Sequence, residues 1–68
     1  MTAPDVVFKH GSCMALIFFE QANIKVVFRK RVLDSNGEWI DARSLDVDDL
    51  PKAVLVLSKA FDYLTAGT

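Results

Sequence analysis

The side chains best suited to chemistry in this chain are cations set close to aromatic rings. Between Ile24 and Leu33 stand Lys25, Arg29, Lys30 and Arg31 with no acid among them, and Trp39, Asp41 and Arg43 follow after a short polar stretch. Such a combination suits unpaired nucleic acid. Ammonium and guanidinium groups neutralise phosphates while rings stack on bases, each stacked base contributing ~1–3 kcal/mol whatever its identity. Trp39 and Phe18 are the candidate stacking anchors. The same residue types have two other uses, and the sequence leaves all three open. Trp and Arg are enriched at protein interfaces, and arginine stems also cover apolar neighbours on an ordinary half-exposed sheet.

Other chemistries are poorly supplied. Cys13 is the only cysteine and His10 the only histidine, so no disulfide forms within one chain, and a metal site wanting three or four ligands lacks them. His10, beside Gly11, reads as a solvated turn residue. Asp46, Asp48 and Asp49 read as caps and dipole partners at a helix start rather than as metal ligands. Ser, His and Asp occur in no nucleophile motif, and no glycine-rich phosphate loop is present. The expectation is a binding protein: no enzyme, no cofactor, no metal and no small-molecule substrate. With a net charge of −1, bulk electrostatics do not announce a nucleic-acid binder; the positive stripe is local.

Five segments must position these side chains. Residues 1–5 read as a loose end. Val6-Val7-Phe8 is a short strand closed by His10-Gly11-Ser12, where glycine permits a turn. Cys13 to Gln21 is a second strand, Ala22-Asn23 a tight turn, and Ile24 to Leu33 the longest strand. Asp34-Ser35-Asn36-Gly37 carries the strongest signal, because Asn-Gly between strand-like runs marks a hairpin; Glu38 to Leu45 then returns. From Asp46 the period changes. Leu50, Val54, Leu57, Phe61 and Leu64 recur at helical spacing, Pro51 is tolerated in a first turn, and Gly67 is placed to end the helix. The fold expected is α+β: one domain over 1–68, with a four-stranded antiparallel sheet over 6–45 and one C-terminal helix over 46–66.

Strand alternation assigns the faces. With Leu33 opposite Trp39, Arg31 faces Asp41 and Arg29 faces Arg43. Ile24, Val26, Phe28, Val32, Ile40, Ala42 and Ser44 then share one side with Lys30, whose ammonium is expected to reach water at an edge. Lys25, Val27, Arg29, Arg31, Leu33, Trp39, Asp41, Arg43 and Leu45 share the other. A two-residue turn at Ala22-Asn23 places Glu20 across from Lys25 and adds Met14, Leu16 and Phe18 to the basic side. A one-residue slip would mix the two sets.

Sixty-eight residues bury only ~60 % of the surface an unfolded chain exposes, so domains of this size usually need outside support. Disulfide and metal being unavailable, self-association remains. The helix supports this, since its apolar arc also takes in Ala53, Val56, Ala60 and Tyr63, more than one sheet requires. Val54, Leu57, Phe61 and Leu64 are the expected homodimer contact. No apolar run approaches a ~20-residue membrane span. A free thiol without a signal-peptide pattern points to the cytoplasm.

The segments "FRKRVLDSNGEW" and "SLDVDDLPKAVLVLSKAFDYL" resemble the family of the eukaryotic transcriptional positive cofactor four and its small bacterial and phage members, related in fold to the plant Whirly proteins. The likeness spans Lys25 to Leu64. It implies curved sheets that grip unpaired DNA, a homodimer through the helices, and contacts from Lys25, Arg29, Arg31, Trp39 and Arg43. The expected function is sequence-tolerant binding of single-stranded DNA, with RNA second, in support of replication, recombination or transcription. The alternative is a dimeric protein-interaction module using the same sheet face.

Overall fold

The computed structural model describes residues 3–66. Four strands, β1 (Val6–His10), β2 (Cys13–Phe19), β3 (Ile24–Leu33) and β4 (Trp39–Asp41), form an antiparallel sheet in the order β1-β2-β3-β4. One C-terminal helix, α1 (Leu50–Thr65), follows a single 3-10 turn at Val47–Asp49. Each consecutive pair of strands is therefore a hairpin. The expected glycine terminator, Gly67, lies outside the described residues.

The β1–β2 connection is the two-residue loop Gly11–Ser12, closed by the pair His10 and Cys13. Gly11 takes φ +60°, a conformation glycine adopts without the steric cost other residues meet. At the third hairpin Leu33 pairs with Trp39 and Arg31 with Asp41, as the sequence pattern requires. Asp34 organises that loop. Its Oδ1 accepts the N–H groups of Asn36 at 2.8 Å and Glu38 at 2.9 Å, and Gly37 takes φ +79°.

Two strand ends depart from the sequence reading. The middle hairpin turns at Gln21–Ala22 rather than Ala22–Asn23, because Phe19 pairs with Ile24 and Glu20 exchanges backbone bonds with Asn23. Lys25 therefore pairs with Phe18, and Glu20 becomes its neighbour, still 3.6 Å away as an ion pair. The shift is two residues, an even number, so every side chain keeps its face. The fourth strand is also shorter than Glu38–Leu45. After Asp41 one further bond forms, from Ala42 N–H to the Lys30 carbonyl at 2.7 Å, and the chain then leaves the sheet for the helix layer. Continuing would have set Arg43 against Arg29, two like charges directly opposed, which is unfavourable.

The core lies between α1 and the β1–β2 half of the sheet. Cys13, Ala15 and Ile17 meet Val56 and Ala60, with Val6, Phe8, Phe28 and Leu64 packed around them. Tyr63 stands edge-on to Phe8, ring centres 5.9 Å apart. Leu64, expected in the dimer contact, is half-buried against this core. Leu50 stands exposed beside Val54, Leu57 and Phe61 instead.

Lys30 differs from expectation most. It does not reach solvent: it is 9 % exposed, with Nζ 2.5 Å from Oδ2 of Asp49, itself 6 % exposed. The same carboxylate oxygen accepts the Asp46 N–H at 2.9 Å, and Asp46 Oδ2 lies 3.7 Å from the ammonium. The hydrogen bond from Lys30 holds the Asp49 carboxyl below its ordinary value, helped by the Asp46 N–H. Its return effect raises the Lys30 ammonium against the opposing cost of desolvation. One ion pair therefore fastens the helix start to β3. In the sequence Asp49 reads as a cap and Lys30 as an edge cation, because the pairing joins residues nineteen apart.

Candidate nucleic-acid interface

With α1 on one side, the opposite side of the sheet is left open. Strand pairing places Lys9 beside Met14, Met14 beside Arg29, Leu16 beside Val27 and Phe18 beside Lys25, while Leu33 and Arg31 stand beside Trp39 and Asp41. Alternation puts all of these on the face away from the helix. Arg29 and Trp39 share it, and Arg31 and Trp39 line one concavity. Leu16 is buried as the apolar floor, Phe18 and Met14 are half-buried, and Trp39 is 60 % exposed. A largely exposed indole held on a paired strand presents a stacking surface at little conformational cost.

The charges are partly matched within the face. Asp41 lies between two arginines, 3.3 Å from Arg29 Nη2 and 3.6 Å from Arg31 Nε, and Glu20 lies 3.6 Å from Lys25. All are about half exposed, so these pairs are screened, contribute little to stability and are readily exchanged for another anion. Their effect is to hold the cations over the sheet. Arg31 Nε is buried and has no hydrogen-bond partner among the described residues. Lys9 and Arg43 have no carboxylate within ion-pair distance among them. Arg43 lies past the end of β4, exposed beside Ser44 and Leu45, so of the expected contacts it alone is not held by the strand ladder.

No family model, curated protein or solved structure matches this chain. Its reading therefore rests on its own geometry.

At the Gly11–Ser12 end of this face lies a concavity of about 450 Å³, lined by Lys9, Gly11, Ser12, Met14, Arg31 and Trp39. The sequence pattern ends the first strand at Phe8 and so passes over Lys9, although its alternation with Phe8, which faces the helix, is the signal that places it on this face. Among the described residues no group of His, Cys, Asp and Glu is arranged to hold a metal ion, and no helix is long and apolar enough to cross a membrane.

A second exposed surface lies on the helix side. α1 packs mainly on β1 and β2; apart from Phe28 and Lys30, which the helix layer covers, much of the β3–β4 part of that face is left open, with Ile24, Val26 and Ile40 41–55 % exposed. Tyr63 contacts β1, and at ~100° per residue the Leu50-Val54-Leu57-Phe61 stripe occupies the opposite flank, bordering that uncovered half. Helix flank and bare sheet thus form one apolar angle.

Proposed function

We propose that this protein is a homodimeric, sequence-tolerant single-stranded DNA-binding protein that acts on DNA metabolism without catalysing a reaction. One observation carries the proposal: Trp39, Phe18, Lys25, Arg29 and Arg31 share the sheet face that the helix leaves bare. Phosphates replace the weak carboxylate partners of the cations, and bases stack on the indole and phenyl rings.

The dimer contact proposed is the apolar angle of helix flank and uncovered sheet. Monomers rarely leave contiguous apolar patches above a few hundred Å² exposed, and a second copy related by a two-fold axis would cover each angle with the other's. Two strand-binding faces would then belong to one particle. Asp41 favours a second reading. A carboxylate amid the arginines reduces the positive field, which suits a polypeptide partner bearing both charges.

Trp39 is the only tryptophan, so its fluorescence reports on this face alone. Titration with oligo-deoxythymidylate should quench it, and affinity should fall with salt at about 0.7 logarithmic units per logarithmic unit of salt for each phosphate neutralised. Absence of quenching and of salt-dependent binding at micromolar concentrations would reject the strand-binding reading.

A further inference from the structure

We infer that the concavity between Lys9, Met14, Arg31 and Trp39 is a subsite for one nucleotide turned out of the strand, its base against Trp39 and Met14 and its phosphate between Lys9 and Arg31. This rests on the strand-binding reading of the same face and adds Lys9, Met14 and Ser12 to it. Four observations support the subsite. Its volume of about 450 Å³ falls within the ~300–1,000 Å³ range of small-ligand sites; a second concavity of about 480 Å³ beside Arg29 and Arg43 is lined by Asp41 and has no aromatic ring other than Phe28. Its walls combine an indole and a thioether with two cations and a hydroxyl, and no carboxylate lines it. An aromatic ring joined to an anion is the ligand such a lining complements.

Its cations are also open to a new anion. Lys9 has no carboxylate within ion-pair distance among the described residues, and the nearest acid to Arg31, Asp41, approaches its Nε at 3.6 Å. The floor is fixed in advance. The Arg31 N–H donates to the Ser12 carbonyl at 3.0 Å, tying the β1–β2 turn to β3, and His10 pairs with Cys13 immediately beneath the turn. A preformed site spares a ligand the ordering cost that weakens binding to mobile surfaces.

A single nucleotide should therefore bind without a strand around it. The full chain is titrated with deoxythymidine monophosphate, thymidine and inorganic phosphate, with Trp39 emission as readout. The monophosphate should quench, thymidine should bind at least about five-fold more weakly, and inorganic phosphate should displace the monophosphate without quenching. Lys9→Ala, at an exposed position, should lower monophosphate affinity about five-fold, while Lys59→Ala on the exposed side of the helix should not. Circular dichroism checks that both variants fold. If oligo-deoxythymidylate binds but the monophosphate neither quenches nor competes, and Lys9→Ala binds the strand as the parent does, the subsite is refuted and the strand-binding reading stands. If oligo-deoxythymidylate itself fails to bind, the reading of the whole face falls and the subsite with it.

Discussion

Replacing Phe61 with serine should dissociate the proposed dimer while leaving the monomer folded. Phe61 is 67 % exposed in the single chain. A phenylalanine offers on the order of 200 Å² for burial, so about 130 Å² of it faces solvent. Covering that area at ~25 cal/mol per Å² is worth about 3 kcal/mol per copy. A two-fold interface contains the residue twice, giving about 6 kcal/mol, or roughly four orders of magnitude in the dissociation constant. This is an upper bound for full burial in the partner. The fold should not suffer, since substitutions at exposed positions usually change stability by less than ~0.5 kcal/mol. Sedimentation equilibrium over micromolar concentrations reads the outcome directly. The parent should run at twice the 7.6 kDa chain mass, and Phe61→Ser at the chain mass with an unchanged circular dichroism spectrum. A parent that sediments as a folded monomer would refute the reasoning, and so would a variant with the parent's dissociation constant.

Other outcomes follow from the core and the face. Ile17 is fully buried at the centre of the core, so Ile17→Ala should cost ~2–5 kcal/mol, visible as a lower urea midpoint at unchanged slope. Because the Asp49 carboxyl is held below its ordinary value near 3.8, its contribution is complete above that pH and is lost as pH falls through the depressed value. The Lys30 contribution, from an ammonium raised above 10.5, holds below that pH and is lost as pH rises through the raised value. Urea midpoints measured from pH 7 down to 2 should fall more steeply for the parent than for Asp49→Asn; parallel curves would refute the assignment. Asp49→Asn alone should also destabilise more than Asp49→Asn combined with Lys30→Met, because the single change strands a buried ammonium. Alanine at both Arg29 and Arg31 should weaken oligo-deoxythymidylate binding and reduce its salt slope by about 1.4, two phosphates' worth, without unfolding the protein.

Local rules set the order of the elements and the faces of their residues. Gly11 and Gly37 mark turns because few other residues accept positive φ, and alternation alone separates Arg29, Arg31 and Trp39 from Phe28, Val32 and Ile40. That sorting holds although the turn lies at Gln21–Ala22 rather than Ala22–Asn23, since a two-residue shift in pairing preserves parity. Three matters required the tertiary structure. Where α1 lies over the sheet decided that Ala53, Val56, Ala60 and Leu64 face inward and that Leu50, Val54, Leu57 and Phe61 do not, a choice the helical period alone cannot make when apolar residues cover half the wheel. The departure of the chain after Asp41 shortened β4 and removed Arg43 from the ladder. Lys30 and Asp49 met only because the helix start docks over β3: burial, not sequence spacing, makes a partner obligatory for each charge, and the partner comes from whichever element the fold brings near.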